Sequence, residues 1–159
     1  MDKTLKTDAQ SSVLRQLSDE REITAILYKY AFALDQKDWK ALEDCFLENA
    51  TAEYDMVGAL SNYNEIEALC RRALTPMTQT QHLIGNVSIS VVDDHASSVC
   101  YLQAQHVRSG YPGGDKNIIA GQYLDKFIRT KHGWKIQHRI LKIQWTFGNA
   151  DIHDLGGDG

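Results

Sequence analysis

QHLIGNVSISVVDDHASSVCYLQAQHVRS, residues 81–109, decides the fold. Two β-rich runs, at roughly 81–92 and 96–109, are separated by the turn-forming Asp93-Asp94-His95. In the second run Cys100, Leu102, Ala104 and His106 fall on one face, and the polar Gln103 and Gln105 fall on the other. That is the period of two expected of a half-buried strand. Working downstream, residues 117–130 and 134–148 are two more such runs, bounded by Pro112-Gly113-Gly114 and Lys131-His132-Gly133. Four consecutive strands with short turns make an antiparallel meander.

Upstream the period changes. Ser18, followed by Asp19 and Glu20, reads as an N-cap with acids at the positive helix end. Ile23, Ile26, Leu27, Tyr30, Ala31 and Leu34 then recur at helical spacing as far as Asp35. Residues 1–17 are polar and are expected to be a flexible segment. Asp38 caps a second, shorter helix through Trp39, Leu42 and Phe46. The alternation in ATAEYDM predicts a short strand carrying Tyr54, and Asn64 caps a third helix, EIEALCRRAL, that Pro76 cannot continue. Helices first and a large sheet afterwards is an α+β order: a curved, mostly antiparallel sheet packed on three N-terminal helices, forming a cone with a hollow inside. The domain spans 18–148, and 149–159 form a C-terminal tail in which Gly156-Gly157 read as flexible.

The totals narrow the function. A chain of 159 residues with 43% hydrophobic content builds one domain with a sufficient core. Its net charge of −4, with no basic run, disfavours nucleic acid and anionic membrane as partners and leaves a small neutral or weakly charged molecule. Cys45, Cys70 and Cys100 are odd in number and widely spaced, which argues against a disulfide framework and for a reduced, cytoplasmic setting. The N-terminus lacks an apolar signal core, and no apolar run is long enough to span a bilayer. His82, His106 and His138 form no H-x-H pair or carboxylate-spaced cluster, so no metal is expected. No G-x-S-x-G and no phosphate-cradling glycine loop is present.

What points into the hollow turns on parity. Val87, Ile89 and Val91 are odd, whereas His82 and Ile84 are even, so strict alternation would put His82 outside. A β-bulge at Gly85-Asn86 would flip the parity and bring His82 and Ile84 inward. The last strand shows the same tension. Trp134 and Ile136 are even, while Leu141, Ile143, Trp145 and Phe147 are odd, so a parity change is expected near Arg139, which then edges the hollow.

The pattern YAFALDQKDWKALEDCF … ATAEY … TQHLIGN … GQYLDKFIRTKHGWKIQHRI resembles the SnoaL-like branch of the NTF2-like superfamily over roughly residues 18–148. That resemblance implies a cystatin-like cone. The Asp after the first long helix and the His opening the first long strand, here Asp35 and His82, are similar to the dyad of three cofactor-free lyases of the superfamily: scytalone dehydratase, bile-acid 7α-dehydratase and hexachlorocyclohexane dehydrochlorinase. Tyr30 and Tyr54 resemble tyrosines of two of these enzymes, His106 a second histidine, and Arg139 an arginine. The superfamily also contains isomerases, cyclases and non-catalytic subunits, so function transfers only through the dyad.

The resemblance implies a cofactor-independent dehydratase that removes a proton next to a carbonyl and expels water. His82 is its base and Asp35 orients it; Tyr30 and Tyr54 polarise the oxygen that gains charge, and His106 or Arg139 assists the leaving hydroxyl. Tyr123 and Trp145 join His106 and Arg139 as substrate-binding candidates. The substrate class is a small hydrophobic or cyclic carbonyl compound, and the assembly a homo-oligomer, a trimer by analogy with the three lyases. Taken singly, His82 also reads as a strand-end histidine satisfied by solvent, Asp35 as a helix-end residue, and His106 and the tyrosines as core side chains. Tyr30 and Asp35 stand about 140° apart on a helix, so a break near Leu34 is expected if both serve one pocket. An isomerase or polyketide-type cyclase on the same site, or a partner protein such as a dioxygenase small subunit, remains open.

Overall fold

The computed structural model describes residues 3–153, with side chains from residue 10 onward. The elements run α1 (Lys3–Gln36), α2 (Trp39–Glu43), β1 (Phe46–Tyr54), β2 (Gly58–Leu60), α3 (Tyr63–Leu74), β3 (Gln79–Val92), β4 (His95–Val107), β5 (Lys116–Thr130) and β6 (Gly133–Gly148), and close with a 3₁₀ turn at Ala150–His153. One six-stranded sheet has the order β2-β1-β6-β5-β4-β3. Every pairing is antiparallel except β1 with β6, the join that brings the early chain back beside the meander. This is the α+β cone that the sequence predicts.

The first helix begins earlier than expected. It is continuous from Lys3, so Ser18 lies within it and caps nothing. No Gly or Pro occurs between residues 3 and 36, and extending an already nucleated helix costs little compared with starting one. Val13, Leu14 and Leu17 on that extension are more than half exposed. The α3 cap is Asn62, whose side chain accepts from the Glu65 N–H at 3.1 Å, rather than Asn64. Asp38 caps α2 as expected, but that helix stops at Glu43, and Phe46 opens β1 instead of closing the helix. The core between helices and sheet contains Ile23, Leu27 and Leu34 from α1, Ile66 and Leu74 from α3, and Cys100, Leu102, Phe127 and Ile136 from the concave sheet face.

Bulges set the curvature and the facing. In β3 the register against β4 jumps between Gly85 and Ser88: Gly85 pairs with Tyr101 and Ser88 with Val99, so Asn86 and Val87 together oppose Cys100. Asn86 takes φ 49°, a left-handed conformation that asparagine tolerates. His82 and Ile84 before the bulge, and Val87, Ile89 and Val91 after it, then occupy the sheltered face, as the parity clash requires. β6 carries two such breaks rather than one. The first skips Gln137 (Lys126 with His138, Phe127 with Ile136), and the second skips Gln144 (Ala120 with Trp145, Gly121 with Ile143). Gly121 makes the second possible, because a Cβ there would run into the Lys142 carbonyl.

Candidate active site

Asp35 sits in the last turn of α1. The helix ends with Lys37 at φ 55°, whose ammonium donates to Met77 O at 2.8 Å and so ties this corner to the chain entering β3. The corner presents the Asp35 carboxylate to the start of β3, where it accepts three hydrogen bonds. His82 Nδ1 lies 2.7 Å from Oδ1, the Thr80 hydroxyl donates to Oδ1 at 3.0 Å, and the His82 backbone N–H donates to Oδ2 at 2.9 Å. Burial works to raise the Asp35 carboxyl, but these bonds outweigh it and hold it below its ordinary value. A charged carboxylate on Nδ1 fixes the proton there, which leaves Nε2 as a free acceptor.

The His82 ring lines a cavity of about 680 Å³ enclosed by α1, α3, the concave sheet face and the C-terminal turn. Tyr30, Tyr54 and Cys70 shape one region, His82, His106 and His153 another, with Leu34, Leu69, Leu102, Ala104, Ile119, Leu141 and Ile143 among the apolar lining. Among the described residues the lining includes Asp55 and Asp151 but no lysine or arginine, which disfavours an anionic ligand. Tyr30 and Tyr54 bring their hydroxyls within 3.4 Å of each other. Burial pushes both phenols above their ordinary range and Tyr123 up to about 12, so all three are neutral hydrogen-bond donors. Burial, then the proximity of His82 and His153, pushes the His106 imidazole down to about 3. His106 stands edge-on to His82 at 5.4 Å and to His153 at 4.6 Å between ring centres.

Several expectations need correction. No break near Leu34 is required: α1 runs through to Gln36, Tyr30 reaches the cavity directly, and Asp35 acts on it through His82. Arg139 does not edge the hollow. It is wholly buried beneath it, where Nε and Nη2 each donate to an Asp125 oxygen at 2.7 Å and the guanidinium stacks on Tyr30 at 4.0 Å and Tyr123 at 4.1 Å. Trp145 lies outside, about half exposed, because the second β6 bulge reverses the facing once more. The tail, to which the sequence reading assigns no role, contributes a wall: Ile152 is fully buried, its carbonyl accepts from Arg108 at 3.2 Å, and His153 lines the cavity. Gly156-Gly157 lie outside the described residues. The sequence signal for this wall was an apolar isoleucine followed by a histidine after the last strand.

Among the described residues no group of three or more His, Cys, Asp or Glu side chains is placed to hold a metal ion, and no helix is long and apolar enough to cross a membrane. Cys45, Cys70 and Cys100 are free and buried, and burial pushes their thiols up to about 11, 12 and 11. A second depression, about 480 Å³ between α1 and β3, is open and carries none of these groups.

The fold and the site thus combine a curved, cone-shaped sheet with a histidine–carboxylate pair beside its hollow. The family model for the SnoaL-like domain matches residues 15–140, and the chain belongs to that family, within the NTF2-like superfamily. It is 30% identical over 131 residues to an uncharacterised protein of Mycobacterium tuberculosis, covering 79% of this chain and 85% of the relative. Among solved structures it is similar to the Kfla4162 protein of Kribbella flavida (20% identity, 87% of this chain and 99% of the other, TM-score 0.81). It is also similar to a Novosphingobium aromaticivorans protein provisionally named a scytalone dehydratase (21%, 84% and 89%, TM-score 0.77). A third is the hexachlorocyclohexane dehydrochlorinase LinA-type3 of Novosphingobium barchaimii (15%, 88% and 96%, TM-score 0.75). At these identities the structural likenesses speak for the fold.

Proposed function

We propose that the protein is a lyase of the dehydratase type, which removes a proton next to a carbonyl of a small, neutral, hydrophobic or cyclic substrate and expels water. The observation that carries this reading is the 2.7 Å contact between His82 Nδ1 and Asp35, made by a ring whose other nitrogen faces a largely apolar cavity. His82 Nε2 takes the carbon-bound proton. The electron pair moves into the carbonyl, and the oxygen that gains charge is held by the neutral Tyr30 and Tyr54 hydroxyls. The Arg139 charge stacked on the Tyr30 ring favours negative charge at that oxygen without touching the substrate. As the C–O bond at the next carbon breaks, the carbonyl re-forms beside a new C=C bond, and the imidazolium on His82 returns its proton to the departing hydroxide as water. His106, held neutral, serves the leaving oxygen as a hydrogen-bond donor and not as an acid. No cofactor is needed for this proton transfer. An open cavity of about 680 Å³ favours an enzyme over a filled, non-catalytic subunit, and isomerisation would share the first step.

The test is exchange of the α-hydrogens of cyclic ketones, cyclohexanone and 3-hydroxycyclohexanone, for deuterium, followed by NMR with enone formation from the latter. His82→Gln and Asp35→Asn should each lower the rate by about 10²- to 10⁴-fold, and the double variant scarcely further, because the pair acts as one unit. A folded His82→Gln protein that keeps the wild-type rate refutes the assignment. We also propose a homo-oligomer, a trimer, supported by the exposed Tyr101, Trp145 and Phe147. Light scattering that returns a monomer at micromolar concentration refutes it.

A further inference from the structure

The C-terminal turn adds an imidazole that lies beyond the segment matched to the family. His153 follows the fully buried Ile152, and Asn149 fixes the start of the turn through its side-chain amide, which donates to Pro112 O at 3.2 Å and Gly114 O at 2.9 Å. The ring of His153 meets that of His106 at 4.6 Å and an interplanar angle of 84°, and both line the cavity. His106 Nδ1 and His153 Nε2 are shut off from solvent without a hydrogen-bond partner among the described residues.

Those two idle nitrogens decide what the rings offer to a ligand. His82 has its tautomer fixed by Asp35, but nothing of the kind fixes His106 or His153. A buried N–H without an acceptor is rarer and costlier than a buried lone pair without a donor. The favoured tautomers therefore leave the shut-off nitrogens bare and place the hydrogens on His106 Nε2 and His153 Nδ1, the nitrogens left to the cavity. Two N–H donors on adjoining rings match one oxygen with two lone pairs.

We propose that His106 and His153 together form a two-donor site for a single oxygen of the ligand, the hydroxyl that departs in the reaction above, so that the C-terminal turn belongs to the active site and selects substrates with an oxygen function there. The assignment rests on reading the cavity as that of the dehydratase, but it is tested by binding alone. In the two-donor site the hydroxyl oxygen accepts both bonds and its own hydrogen turns to the cavity, while the charge that grows on it as the C–O bond breaks strengthens both.

The experiment compares 3-hydroxycyclohexanone with cyclohexanone, titrated into full-length protein carrying His82→Gln to suppress turnover and followed by NMR of labelled histidine rings. His153→Phe keeps a ring in place but removes the donor. It should weaken the hydroxy ketone about tenfold and leave cyclohexanone within about twofold, and His153→Gln, which restores an N–H, should recover part of the loss. Equal loss for both ketones, or loss for neither, overturns the proposal. So does a His82→Gln protein with His153 intact that shows no preference for the hydroxy ketone, including one that binds neither. Failure of turnover with hydroxyl selection retained would instead count against the dehydratase and leave the two-donor site standing.

Discussion

Replacing Asp125 tests what holds up the floor of the cavity. The Arg139 guanidinium is 0% exposed, and two of its nitrogens each donate to an Asp125 oxygen at 2.7 Å. Nη1 already lacks a partner among the described residues. Arginine cannot shed its proton in a protein, so with Asp125→Leu the charge stays, facing the rings of Tyr30 and Tyr123 and, farther off at 5.8 Å, that of Phe46. Those faces already act on the charge in the wild type, at about 2 kcal/mol or more each when desolvated, and breaking a buried pair from one side costs about 3–5 kcal/mol. A domain of this size has roughly 5–15 kcal/mol to lose. Arg139→Met alone strands the carboxylate and gives up both stacking contacts, with a comparable loss. The double variant removes the charges together and should return to within about 2 kcal/mol of wild type, since apolar groups replace buried ion pairs at little cost. Urea unfolding followed by circular dichroism and tryptophan fluorescence reads the four proteins, and the coupling energy should exceed about 2 kcal/mol. Additive losses, with a coupling below about 0.5 kcal/mol, would refute the view that the pair carries the floor.

Acid should weaken the fold through the imidazoles. The unfolded chain protonates His106 below its ordinary value of 6.5, but the folded chain refuses that proton until about 3, so the stabilisation is complete above 6.5 and lost as pH falls toward 3. The loss from this group is on the order of 4 kcal/mol by pH 3. His153, also lowered by burial, and Asp35, whose contribution is present above 3.8 and lost as pH falls through its lower folded value, act in the same direction. Chemical denaturation at a series of pH values should show the slope between 6.5 and 3, and His106→Phe should flatten it. Gly121→Ala sets a Cβ against the Lys142 carbonyl and should cost about 1–3 kcal/mol; a midpoint unchanged from wild type would show that the second β6 bulge does not need glycine.

Much of the site was legible because parity is a strict bookkeeper. Strand side chains alternate without exception unless a bulge intervenes, so the clash between His82 and the Val87, Ile89, Val91 face located the break at Gly85-Asn86, where the register does shift. In β6 the same alternation points to the first break, near Arg139, and to no other. Parity detects an odd number of bulges between two points, and the second, at Gln144, sends the alternation back to its starting phase. Trp145 and Phe147, large and apolar, read as facing the hollow, but size and hydrophobicity do not say which side of a sheet a residue faces. Gly121 in β5 was the available warning, since glycine inside a strand marks close backbone approach.

Arg139 was misplaced for a different reason: a charge seen alone reads as a cavity edge, and only a partner makes it a floor. Asp125 occupies the inward face between Tyr123 and Phe127, and it pairs with Arg139 directly across the strands. From the Lys131-His132-Gly133 turn a regular ladder sets Asp125 against His138, and the one residue skipped at Gln137 moves the pairing to Arg139. An acid and a base on facing inward positions were both visible in the sequence, but their contact depended on counting that bulge. The bulge therefore sets more than curvature. It brings Asp125 opposite Arg139, which places a buried positive charge beneath the Tyr30 and Tyr123 rings, so the electrostatics of the phenol end of the cavity are fixed by a backbone irregularity on the strand that supplies no phenol.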